Sequence, residues 1–405
     1  MKKKTILFLS VCLWPGLALA WTGEVRILGN GHSQTSYLED LTRSCLGGHE
    51  ALEPQDLKEV QDCIGNTELF FEVKLRAEPS LLVVEVKERW SLLPIPLVVG
   101  EKNQDTKYGA ILVERNLMGL GKLLAVGGDS SKKSSTVFLR YEDKSLGFTP
   151  LYLRLTWAKI RRQALLYRGH EVIDGNDEDR LYQALDLGYH VTQAFTPTLL
   201  YEKLDKRYYE SSGRAAWTDL SYQSLGVRLS LDLGNFRFYF KEGWQLSLEQ
   251  LAQQWRSDGL SLDQKTLAKV QWQGATVEDQ ALQVKAEVFF SRKDDPRTAS
   301  QLGSREGVRG VPAYGAWAKD YRFLSLDYQI PLGYSAQGVW TAAPFWDGGR
   351  IVLAQRNLET VDYRSYGLGT YFFLKEIALP GLGFLVGRND PYESFFYKIT
   401  LGFEF

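Results

Sequence analysis

After Pro96, segment after segment of the chain alternates apolar and polar positions. Leu151, Leu153, Leu155 and Trp157 interleave with Tyr152, Arg154, Thr156 and Ala158. The same period of two recurs over residues 225–233, 236–240, 282–288 and 324–330. Alternation of this kind puts every apolar side chain on one face of a strand and every polar one on the other. About fifteen strand-like segments follow residue 105. The last is the clearest: Phe395, Tyr397, Ile399, Leu401, Phe403 and Phe405 share one face, and Ser394, Phe396, Lys398, Thr400, Gly402 and Glu404 the other.

Residues 22–90 have a different rhythm. A short strand, Glu24–Leu28, leads to a turn at Gly29-Asn30-Gly31. Residues 33–45 place Tyr37, Leu38 and Leu41 at helical spacing, and Gly47-Gly48 stops that helix. Pro54 opens a second helix whose face carries Leu57, Val60 and Ile64, and Gly65-Asn66 ends it. Two strands follow, over residues 69–76 and 81–88, with a turn at Glu78-Pro79-Ser80. The predicted order is β-α-α-β-β.

The N-terminus sets the compartment. Lys2, Lys3 and Lys4 precede an apolar run from Ile6 to Leu19 that ends in Ala18-Leu19-Ala20. A basic start, a short apolar core and an A-x-A site describe a secretory signal peptide, with cleavage expected after Ala20. The run is short for a membrane anchor, which needs about 20 apolar residues. In an oxidising compartment Cys45 and Cys63 are expected to form a disulfide; the alternative is two free buried thiols.

Composition then separates a membrane barrel from a soluble sandwich, which alternation alone does not. Past residue 20 no run of 18 apolar residues offers a membrane helix, yet the chain carries 11 Trp, 21 Tyr and 20 Phe. Export, aromatic load and strand number together point to strands with one face in lipid. Lipid cannot satisfy an open sheet edge, so such a sheet must close. Bacterial single-chain barrels use even strand numbers, which makes sixteen the expected count. The net charge of -1 gives no basic surface for nucleic acid. His32, His49, His170 and His190 form no metal-ligand motif, and no G-x-S-x-G elbow occurs, so neither an enzyme nor a cofactor is expected.

Three further motifs carry a family resemblance. They are Asn116-Leu117-Met118-Gly119-Leu120-Gly121-Lys122, Val308-Arg309-Gly310-Val311 and Phe345-Trp346-Asp347-Gly348-Gly349. With the β-α-α-β-β unit and the terminal Phe405, they resemble the outer-membrane assembly and translocation superfamily of BamA, TamA and the two-partner-secretion transporters. The first is similar to the family's stretch between the first two barrel strands. The second is similar to its V-R-G-[FY] loop motif, departing at Val311, and the third to its F-x-D-x-G strand motif. The resemblance implies a POTRA domain at residues 21–92, a linker at 93–106 and a sixteen-stranded outer-membrane barrel at 107–405. It implies a first barrel strand near residues 107–114 that meets the last at a weak seam. It also implies that the loop between Lys293 and Asp320 enters the lumen and that Arg309, beside Gly310, pairs with Asp347; the alternative is two solvated lumen charges. The last strand, with its final Phe405, would be the signal read by the machinery that assembles the barrel itself.

The function implied is insertion of outer-membrane proteins or translocation of a polypeptide in a Gram-negative cell. The POTRA domain would capture an unfolded client by strand addition, at either residues 24–28 or 69–76. One such domain is few for the superfamily and points to a specialised member. The alternative is a passive pore or structural barrel.

Overall fold

In a computed structural model, residues 23–47, 53–78, 80–101, 105–168, 171–209, 217–237, 239–255, 261–277, 279–303, 307–311, 315–354, 359–374, 379–390 and 394–401 are described. The predicted signal peptide, His49, His170, Phe403 and Phe405 lie outside them.

The N-terminal unit contains β1 (Glu24–Leu28), α1 (Thr35–Leu46), α2 (Pro54–Gly65), β2 (Phe70–Glu78) and β3 (Leu81–Glu88). The sheet order is β1-β3-β2, with β1 parallel to β3 and β2 antiparallel to it. Pro54 starts α2 where its missing N–H is not needed, and the Glu53 amide donates to Asp56 Oδ2 at 2.9 Å. One face of each helix covers the sheet: Leu38, Leu46, Val60 and Ile64 pack on Leu82 and Val84, all essentially buried. A disulfide joins Cys45 of α1 to Cys63 of α2, with Cα atoms 5.9 Å apart. Closing a loop of this size stabilises the unit by about 3 kcal/mol in the chain-entropy picture.

The remaining strands close into one antiparallel barrel. They are β4 (Leu92–Glu101), β5 (Lys107–Leu117), β6 (Lys122–Ser130), β7 (Ser134–Asp143), β8 (Leu151–Arg168), β9 (Glu171–Tyr189), β10 (Phe195–Tyr209), β11 (Leu220–Asp232), β12 (Asn235–Arg237), β13 (Phe240–Trp255) and β14 (Ser261–Ala275). Then come β15 (Ala281–Ser291), β16 (Ser300–Leu302), β17 (Ala316–Tyr334), β18 (Gly338–Leu353), β19 (Thr360–Leu374), β20 (Leu379–Asn389) and β21 (Ser394–Leu401). β12 and β16 are three-residue segments that do not interrupt the wall: β11 pairs directly with β13 and β15 with β17. Among the described residues the barrel thus has sixteen full strands. No helix of the described residues is long and apolar enough to cross a membrane.

The alternation read from the sequence becomes an outer and an inner face. Phe395, Tyr397, Ile399 and Leu401 are exposed on the outside of β21, while Phe396 and Lys398 are buried inside. On β17 the outward positions Leu324, Leu326, Tyr328, Ile330 and Leu332 are uninterrupted by charge. At about 3.4 Å per residue and a tilt near 40°, that run covers about 21 Å, most of the roughly 25 Å of a bilayer's apolar band. Inside, Arg154 bridges Glu142 and Asp186, and Arg228 bridges Asp186 and Glu249.

Two sequence readings are corrected here. The linker read at residues 93–106 is corrected over residues 93–101: these belong to β4, the first barrel strand, which pairs with β21, so closure does not involve residues 107–114. The strand carries no period-two signal because both of its faces are apolar. Leu93 and Ile95 pack inside against Ile111, Val113 and Ala125, while Leu92 is exposed outside. Two prolines further disguise it. Residues 236–240 are not one strand either. Asn235–Arg237 folds back on residues 240–242 as a hairpin extension, and Phe238 lies outside the described residues.

Candidate functional site

The connection between β15 and β17 runs into the lumen. Its first half is tied to strands of the wall: Lys206 Nζ of β10 donates to the Arg297 carbonyl at 2.5 Å and Lys265 Nζ of β14 to the Thr298 carbonyl at 2.7 Å. Gln301 Oε1 accepts from Arg162 and Arg180. Further along, Val308 and Val311 insert into an apolar cluster with Phe289, Tyr321, Phe323 and Ile351.

Arg309 stands between those valines, and each of its three guanidinium nitrogens donates a hydrogen bond. Its Nε donates to Asp347 Oδ2 at 3.0 Å and Nη2 to Asp347 Oδ1 at 2.8 Å, a bidentate pair. A second carboxylate, Asp327, accepts from Nη1 at 2.8 Å and Nη2 at 2.7 Å. Ser325 Oγ accepts from Nη2 at 2.7 Å, and the Phe345 ring lies 4.0 Å from the guanidinium carbon. The Arg309 amide also donates to Asp347, at 3.1 Å. Its carbonyl accepts from the Tyr363 hydroxyl and, at 3.1 Å, from Asn389 Nδ2. Asp347, Ser365 and Asn389 are wholly buried. Gly310 adopts a left-handed φ of 83°, and a Cβ there would run into the ring of Phe396 on β21. One loop therefore grips β17, β18, β19 and β20 and packs on β21.

The sequence pointed to Arg309, Gly310 and Asp347, and the fold brings them together. It did not single out Asp327, Ser325, Tyr363 or Asn389. A signal existed for two of them: Ser325 and Asp327 occupy the polar face of an alternating strand, and Ser325 lies directly opposite Asp347.

β21 closes on β4 through Lys398↔Glu101, Ile399↔Gly100, Thr400↔Val99 and Leu401↔Val98, among the described residues. This joint lies immediately beside the gripped wall.

No protein-family model matches the chain, and no curated protein is significantly similar to it. Solved structures do resemble it. BamA from Haemophilus ducreyi lacking POTRA domains 1–3 aligns over 95% of this chain and 85% of that one, at a TM-score of 0.58 and 11% identity. CdiB from Escherichia coli aligns over 95% and 77%, at a TM-score of 0.60 and 12% identity. CdiB from Acinetobacter baumannii aligns over 95% and 74%, at a TM-score of 0.58 and 11% identity. The barrel has the fold of BamA and CdiB. At this identity the likeness concerns the fold alone.

In this BamA-type barrel the glycine motif lies between β5 and β6, the second and third barrel strands rather than the first two. It forms the joint with the N-terminal unit. The Gln34 amide donates to the Gly119 carbonyl at 2.9 Å and Gln34 Nε2 to the Met118 carbonyl at 2.8 Å. Asn116 Nδ2 donates to Ser33 Oγ at 2.8 Å, and its Oδ1 accepts from the Gly121 amide at 2.7 Å. Gly121 has a φ of 64°, and a Cβ there would collide with the Tyr37 hydroxyl. Arg115 pairs with Glu68 at 2.7 Å. Glu88 Oε1 and Oε2 accept from the Ser33 and His32 amides, each at 2.7 Å. Burial works against the Glu88 charge, but these hydrogen bonds outweigh it and hold the carboxyl below its ordinary range. Two further barrel turns touch the same unit: Gln193 Nε2 donates to Ser44 Oγ at 2.7 Å, and the Phe236 amide to Asn66 Oδ1 at 2.8 Å. The His32 imidazole hydrogen-bonds to the Asn116 carbonyl, and the His190 imidazole to the Thr196 hydroxyl and the Lys144 carbonyl.

Proposed function

We propose that this chain is an outer-membrane barrel that inserts or translocates polypeptides by opening between β4 and β21. The observation that carries the reading is the Arg309 grip. It makes β17–β21 one rigid wall and leaves the β21–β4 closure as the joint beside it. In this reading the N-terminal unit is a POTRA-like periplasmic domain, delivered by the signal peptide. Its nine-residue edge strand β2 would capture an unfolded outer-membrane or secreted client through main-chain hydrogen bonds. The outer apolar band contacts the bilayer, and the outward face of β21 serves as the signal for the chain's own assembly. No bond is made or broken, and no cofactor takes part. A passive pore is the weaker reading, since the long loop occupies the lumen and the N-terminal unit contacts three barrel turns at one mouth.

The test uses the purified protein in liposomes, with a urea-unfolded outer-membrane protein as probe and heat-resistant gel mobility as readout. Val99 and Thr400 face each other across the joint in a pair that does not exchange ladder hydrogen bonds, the closer of the two geometries. The parent should speed folding of the probe. The Val99→Cys/Thr400→Cys variant should not do so when oxidised and should do so when reduced, against a parent treated identically. Ion conductance with no acceleration by the parent would overturn the proposal in favour of a pore.

A further inference from the structure

The two edges that meet at the joint are chemically unequal. The Arg115 amide donates to the Ser91 carbonyl at 3.0 Å, and β4 pairs with β5 from Leu92↔Glu114 to Val99↔Lys107 without a register shift. Along an antiparallel strand, backbone groups point alternately to one neighbour and the other. Ser91, Leu93, Ile95, Leu97 and Val99 therefore turn their backbone groups to β5. Leu92, Pro94, Pro96, Val98 and Gly100 turn theirs to the joint. Both prolines thus stand where β4 should donate across the joint, and proline has no N–H. On β21 the same parity, set by Ile399↔Gly100 and Leu401↔Val98, turns Phe395, Tyr397, Ile399 and Leu401 to the joint, and none is proline.

The consequence follows from the solvent. Pro94 and Pro96 lie on the outward face, in line with the exposed Leu92. In hydrocarbon an unsatisfied backbone group costs several kcal/mol. A strand laid against β4 leaves a carbonyl without a donor opposite each proline. A strand laid against β21 meets an amide at every described joint-facing position. Proline within sheets is confined to edges, where it prevents strand addition. Two prolines spaced by two, both facing the joint, mark β4 as an edge that is exposed and guarded.

We infer that opening is asymmetric: β21 receives the incoming strand and β4 rejects it. The partner is an extended amphipathic strand running antiparallel to β21. This inference rests on the opening proposed above.

Its test traps the incoming strand. The probe is a urea-unfolded outer-membrane barrel protein carrying one cysteine in its terminal strand and truncated so that it stalls. Single-cysteine variants Val98→Cys and Ile399→Cys, both at outward positions of the joint, are treated with a short bismaleimide in liposomes. Cross-linking at Ile399→Cys should exceed that at Val98→Cys by at least about tenfold, because tenfold needs only ~1.4 kcal/mol, less than one unpaired group costs in lipid. Adding Pro94→Val and Pro96→Val should bring the two yields together. Predominant trapping at Val98→Cys, or a preference unchanged by the valines, overturns the asymmetry and leaves the opening intact. Trapping at neither position overturns both.

Discussion

The walls on either side of the joint are held in opposite ways. From β17 to β21 a buried cation with two carboxylates ties four strands to one loop. From β4 to β6 no comparable network occurs among the described residues. The inner face there is an apolar patch of Leu93, Ile95, Ile111, Val113 and Ala125, and the turn after β5 is fastened to the N-terminal unit. One wall is stiffened from within and the other is attached to a separate domain. In the opening proposed above, a joint between them would respond to movement of that domain without disturbing the lumen loop.

The comparison breaks most visibly at Arg309. Arg309→Ala leaves Asp327 and Asp347 buried without their cation, at a cost of about 3–5 kcal/mol. A urea titration of heat-resistant gel mobility should show that loss, and Arg309→Lys should recover only part of it, because an ammonium lacks the guanidinium fork. A loss below about 1 kcal/mol, the range of an exposed ion pair, would mean that the hairpins alone hold this wall.

Gly121→Ala tests the other wall. A left-handed alanine costs about 1–2 kcal/mol before Tyr37 is displaced. Trypsin cleavage at Arg89 should accelerate while the barrel keeps its gel mobility; unchanged cleavage would mean the turn does not secure the domain.

The smallest effect is a pH dependence at the same junction. Glu88 has a carboxyl pKa lowered from 4.5 in the folded state, so its stabilising contribution is complete above that value. It is lost as the pH falls through the lowered folded value. Cleavage at Arg89 by an acid-active protease able to cut there should rise over that acid range, and Glu88→Gln should flatten the rise. An identical profile in both would assign the pH response to another group.

Much of this was legible from spacing alone. Period-two alternation marks most barrel strands, because each has one wet and one apolar environment. Tyr37, Leu38 and Leu41, and Leu57, Val60 and Ile64, mark helices that cover a small sheet. β4 was not legible, since a strand apolar on both faces has no alternation and its prolines read as a break. Nor was the second partner of Arg309. Asp327 is 18 residues from it and Asp347 is 38, and only the strand register brings both to one guanidinium. Gly121 could be read as a turn glycine, but not as the residue that makes room for Tyr37. The sequence by itself determined which residues form strands and which face each side chain takes, because those depend on local period and solvent. The tertiary structure decided which strands meet at the joint, which carboxylates share the buried arginine and which way the prolines turn. Those depend on register, which couples residues that the chain keeps far apart.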